Sequence, residues 1–194
     1  MKLKEFLVII ILIISVIIFI KISKGDVIYV LSDIDQEYYL VRDVKDKQEA
    51  ANLLARIRQN INSLVVHLNT NINKYKDNTK YIKQLTNRIN GSIINESSAD
   101  SSYTSYSVNK GEQIVFCIRS KRSTSLMHSL NLMMYVTLHE LAHVACPEYG
   151  HTLLFKQIFT FLTKVAVELG MYKKINFSTN PTEYCGLMIR DSII

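Results

Sequence analysis

The sequence predicts an α+β fold, with helices packed on one small antiparallel sheet behind an N-terminal transmembrane helix. Three observations carry this. A twenty-position apolar run, Leu3 to Ile22, opens the chain and matches the length that crosses a bilayer. An apolar stripe at helical spacing follows, through Leu53, Ile57, Ile61, Leu64, Leu68, Ile72 and Tyr75. A hairpin pattern over 103–118 then leads into two apolar helical runs.

Taken in order, Phe6 to Ile20 is broken only by Ser15, and Lys21 can snorkel before Ile22. No small-residue cleavage pattern follows, so the segment reads as an uncleaved anchor over 1–24, with one domain over 25–194. This implies a single-pass membrane protein that meets the membrane through residues 3–22. The flanking lysines are nearly balanced and give no orientation. Val27 to Leu31 and Tyr38 to Val41 read as short strands. Asp46, with Glu49 three residues later, reads as a capping box that starts the long helix. Tyr81 to Ile89 reads as a shorter helix, and Asn90 to Ser102, polar and Ser-rich, as a loop. Tyr103 to Val108 and Gln113 to Ile118 flank Asn109-Lys110-Gly111-Glu112, a hairpin turn. Ser123 to Ser125 could cap the next helix, an apolar run from Leu130 to Leu141. Pro147 and Gly150 end it, and a further helix runs from about Leu154 to Gly170. The tail turns at Asn180-Pro181 before a short apolar stretch, Tyr184 to Ile189.

With 194 residues the chain can bury a real core. Its net charge of +6 owes much to Lys2, Lys4, Lys21 and Lys24. No later segment is a dense basic stripe, so no nucleic-acid partner is expected. Cys117, Cys146 and Cys185 are too few and too scattered for a disulfide framework.

The chemistry lies in His139-Glu140-Leu141-Ala142-His143, with His151 eight positions on. By this chain's own composition, one accidental H-E-x-x-H has a chance of only about 0.6 %. On a helix, His139 and His143 share one face and can grip one Zn²⁺, while Glu140 is placed to take a proton from activated water. A catalytic zinc needs a third protein ligand. His151, Glu168 and Glu148 are the candidates, with Cys146 a weaker one. His151 is preferred, because the Pro147/Gly150 break lets the chain turn back. Tyr184 and Tyr149 are candidates for stabilising an oxyanion. His128 is about three turns before His139, too far to bind the same ion. His67 lies off the stripe of its helix and reads as a surface or partly buried residue rather than a ligand.

The motif, then Gly150-His151 and Phe155 opening the next helix, resembles the WLM and SprT-like zinc metallopeptidases over roughly Leu126 to Leu169. The resemblance implies a zincin-like metallopeptidase minidomain, with His139, His143 and His151 as zinc ligands and Glu140 as the catalytic residue. The N-terminal anchor and the Tyr184-Cys185-Gly186 segment also resemble WLM-like proteins of large DNA viruses. Well-known family members cleave proteins crosslinked to DNA. This chain lacks a recognisable DNA-binding tail, so protein or peptide substrates at a host membrane or in an enveloped virion are expected instead.

Overall fold

A computed structural model describes residues 9–16, 26–123 and 126–194. It corrects the expected anchor. Residues 9–16 are helical. Among the described residues no helix is long and apolar enough to cross a membrane. The single-pass membrane placement is corrected with it. The rest of the expected 3–22 span lies outside the described residues.

The fold is mixed α and β with small sheets, not helices on one antiparallel sheet. Strands β1 (Val27–Leu31) and β2 (Tyr38–Arg42) form an antiparallel pair, with Val27 opposite Arg42 and Leu31 opposite Tyr38. Helix α1 (Lys47–Thr70) follows. It buries Ile57, Ile61, Leu64 and Leu68 of the expected stripe, with Leu54 buried in place of the half-buried Leu53, and the backbone turns before Ile72 and Tyr75. Asp46 stands at its N-cap but makes no side-chain cap bond. The carboxylate pairs instead with the guanidinium of Arg119.

A single 3₁₀ turn (Lys76–Asn78) leads into helix α2 (Thr79–Ile89). Strands β3 (Ile93–Glu96), β4 (Tyr106–Val108) and β5 (Gln113–Phe116) make the central sheet in the order β3-β5-β4. β4 and β5 are the expected hairpin, antiparallel with Tyr106 opposite Val115. β3 was expected to be loop. It pairs parallel to β5, with Ile94 opposite Ile114, because Ile94 is buried while its Ser and Asn neighbours hide the short strand in a polar stretch. The sheet is therefore mixed.

Helix α3 (Leu130–Ala145) lies at the centre of the molecule. Twelve of its sixteen residues are buried, and α1, α2, α4 and β4 all pack on it. Ser129 caps it, accepting from the Leu132 amide at 3.3 Å. The expected Ser125 lies outside the described residues. Helix α4 (Leu153–Glu168), capped by Thr152, packs against α3 and buries Phe155, Ile158, Phe159 and Leu162. The tail closes as an antiparallel hairpin of β6 (Thr182–Tyr184) and β7 (Leu187–Ile189).

Two long-range ties hold these parts together. Glu96 is buried and accepts from Arg119 Nε at 2.7 Å and from the Arg42 amide at 2.8 Å. Arg42 in turn donates to the Ser97 and Ser98 carbonyls. The network joins β2, β3, the chain after β5 and the start of α1. The second tie is a disulfide, Cys117–Cys185, between the end of β5 and the β6–β7 turn. No disulfide framework was expected, and 68 residues separate the two cysteines, so only the fold makes them neighbours. Cys146 is a buried free thiol.

Candidate metal centre

His139 and His143 project from one face of α3, and the Cys146–Gly150 turn returns the chain so that His151 meets them. The three Nε2 atoms stand 3.2 Å (His139–His143), 3.2 Å (His143–His151) and 3.1 Å (His139–His151) apart. Phe155, from the first turn of α4, supports all three rings. It stacks on His143 at 4.2 Å between ring centres and meets the edges of His139 at 5.0 Å and His151 at 4.9 Å. Phe159 adds an edge contact to His139 at 5.3 Å.

The donor set fits a metal ion. Two ligands about 2.0–2.1 Å from a tetrahedral zinc lie about 3.3–3.4 Å from each other, close to the spacings here. A neutral imidazole offers at Nε2 either one N–H or one lone pair. Three such nitrogens pointing at one spot cannot all satisfy one another, whereas one cation can take a lone pair from each. Burial, then the neighbouring His143 and His151, pulls His139 down to about 3. Burial, then His151 and Lys110, pulls His143 down to about 4. Both rings are thus held neutral, the form that ligates a metal. Among the described residues, these three histidines are a group whose ligand atoms could hold an ion.

The triad opens on a cleft of about 700 Å³, also lined by Glu140, Tyr184, Tyr135, Val136, Ser105 and Lys110. Glu140 is only 5 % exposed, and burial pushes its carboxyl up to about 7. A carboxyl so poised can both take and return a proton near neutral pH. Tyr184 hydrogen-bonds Ser105 through its hydroxyl. Burial pushes its phenol well above the ordinary range, so the hydroxyl remains a donor. The Tyr184 ring packs on His128 at 5.1 Å, and His128 accepts from the Cys185 amide at 3.2 Å. His128 therefore supports the hairpin that carries Tyr184.

The other candidates fall elsewhere. Glu168 pairs with Lys74 at 3.3 Å on the surface, at the far end of α4. Glu148 lies on the rim of the cleft. Tyr149 is 84 % exposed beneath the Lys110 ammonium. His67 meets Tyr75 at 3.2 Å. Sequence reasoning missed Ser105, Lys110 and the disulfide. Their roles depend on contacts 36 or more residues away, for which a single sequence carries no signal.

The chain is 47 % identical to an uncharacterized protein of Acanthamoeba polyphaga mimivirus, over 90 % of this chain and 88 % of that protein. It is 31 % identical to an uncharacterized protein of Invertebrate iridescent virus 6, over 70 % of this chain and 73 % of that protein. The chain belongs to this family of viral proteins. No family model matches it, and no solved structure does.

Proposed function

We propose that this protein is a zinc metallopeptidase of the zincin kind, similar to the WLM and SprT-like enzymes, acting on protein or peptide substrates. The observation that supports it most is the meeting of three imidazole nitrogens 3.1–3.2 Å apart beside a buried glutamate in one open cleft. His139, His143 and His151 would hold the ion. When bound, zinc supplies Lewis-acid polarisation of a carbonyl and activation of water.

The chain's own residues do the rest. Glu140 takes the proton of the attacking water and hands it to the amine that leaves when the C–N bond breaks. Its hydrophobic surroundings keep the carboxyl near the acidity that both transfers need. Tyr184 donates its hydroxyl to the oxygen that gains charge as water adds. β4 is an edge strand of its sheet, and Tyr106 and Ser107 line the cleft. An extended peptide can add along that edge by main-chain hydrogen bonds, which puts its backbone beside Glu140.

The test uses the full chain. Wild type should bind one zinc, and at zinc a hundredfold over Kd its unfolding free energy should rise by about 2.7 kcal/mol. Glu140→Gln should keep the zinc and lose about 10²–10⁴-fold in peptide hydrolysis. His151→Ala should weaken zinc binding strongly. Hydrolysis unchanged in Glu140→Gln would refute the assignment, and zinc-loaded wild type inert toward casein would point to a binding role for the site.

A further inference from the structure

Why His151 returns to the other two histidines is not explained by α3 or α4, since it sits on the exposed turn between them. We infer that Lys110 is the positioning residue of the third imidazole, acting through the turn that carries it; this rests on the metal reading above. The Lys110 ammonium donates to the carbonyl of Cys146 at 2.8 Å, of Pro147 at 3.3 Å and of Glu148 at 2.7 Å. An ammonium has three protons, and here each meets a carbonyl of the same turn. The side chain also lies over the Tyr149 ring, 4.2 Å from its centre. One cation therefore grips four consecutive residues, Cys146 to Tyr149, between the second and third histidine.

The grip is itself anchored. Lys110 sits in the β4–β5 turn, where Asn109 and Lys110 both adopt left-handed backbone, with φ of 47° and 57°. The Asn109 amide donates to Glu112 at 2.7 Å and braces the turn. Gly111 follows at φ 117°, and a Cβ there would come within 2.9 Å of the Val144 side chain on α3. The turn is thus pressed against the end of the metal-binding helix at a distance only glycine allows. Arg88 also donates to the Val144 carbonyl and Gln84 to that of Ala145, each at 2.8 Å. These two fix the end of α3. Lys110 fixes the residues beyond it, which set where His151 lies.

Zinc affinity is measured on the full chain by competition with a chromophoric chelator, for wild type, Lys110→Met, Lys110→Arg, His151→Ala and the Lys110→Met/His151→Ala double variant. Thermal melts of the metal-free proteins and Co²⁺ absorption spectra accompany it. Supporting residues behind metal ligands typically contribute about 10–100-fold in affinity. Lys110→Met should lose about that much, with a Co²⁺ spectrum shifted toward that of His151→Ala. Lys110→Arg, which keeps charge and several donors, should recover most of the loss. Once His151 is gone, removing Lys110 should weaken binding no further. If Lys110→Met does not fold, Lys110→Gln takes its place. Wild-type affinity in Lys110→Met or Lys110→Gln overturns the inference. So does an equal loss in the presence and absence of His151, or a lowered metal-free melt with unchanged affinity. A wild type that binds no zinc overturns the metal reading itself, and that result is distinct from all of these.

Discussion

Removing the Cys117–Cys185 bridge should destabilise the protein by an amount its sequence separation sets. Closing a loop of 68 residues removes unfolded-chain entropy worth about 4 kcal/mol at 25 °C in the chain-entropy description. The folded side has further ties. The Cys185 amide donates to His128, Tyr184 bonds Ser105, and the Tyr184 ring lies on His128, so the β6–β7 hairpin should stay docked without the bridge. The perturbation is the Cys117→Ala/Cys185→Ala double variant, compared with wild type in urea under non-reducing conditions. At a slope of about 2 kcal/mol per M, the midpoint should fall by about 2 M with the slope unchanged. Reduced wild type should match the variant. A loss below about 1 kcal/mol would refute the entropic argument. An early, separate transition confined to amides 182–189 in hydrogen exchange would refute the docking of the hairpin by its other contacts.

Two further outcomes follow from the buried charges. Glu96→Gln should cost about 3–5 kcal/mol by chemical denaturation, since it leaves the fully buried Arg119 with only Asp46; a cost below about 1 kcal/mol would show that the network is dispensable. In the metal-free protein, burial holds Glu140 at about 7 instead of 4.5. A folded value above the unfolded one means full stability below about pH 4.5 and a loss as pH rises through about 7. That gap corresponds to about 3 kcal/mol. Metal-free Glu140→Gln should therefore gain about that much on wild type between pH 4.5 and pH 8, and a flat difference would refute the burial argument.

What could be read from the sequence follows from what is local. Helices α1 and α4 announce themselves by 3.6-residue periodicity, α3 by its apolar run and the β4–β5 hairpin by its Asn-Lys-Gly turn. The i,i+4 spacing of His139 and His143 puts two rings on one face of any helix, and the Pro147/Gly150 break implies that His151 can return. The misses are those for which distant partners decide. Asp46 has the residue type and spacing of a cap, yet its carboxylate meets Nη1 of the buried Arg119, whose Nε is taken by Glu96, because a donor left unmet on a core guanidinium would cost more than an uncapped helix. Ile93–Glu96 has too few apolar residues to look like a strand, yet it pairs parallel to β5 because Glu96 is needed beneath two arginines. The apolar run at the N-terminus shows the opposite error. Hydropathy alone reads it as a span, whereas no helix among the described residues is long and apolar enough to cross a membrane.

The site divides the same way. The three imidazoles and the carboxylate of Glu140 come from thirteen consecutive residues, His139 to His151, and so are visible in one motif. The atoms that hold them in place come from everywhere else. Phe155 on α4 supports the rings, and Lys110 on the β4–β5 turn grips the return. A disulfide and His128 hold the hairpin that brings Tyr184 to the cleft. A motif can therefore show what a site could do, but how tightly it is held depends on contacts that only the fold creates. Substitutions at Lys110 or Cys185, outside the motif, are accordingly expected to act on the order of the site without removing any of the three imidazoles or the Glu140 carboxylate.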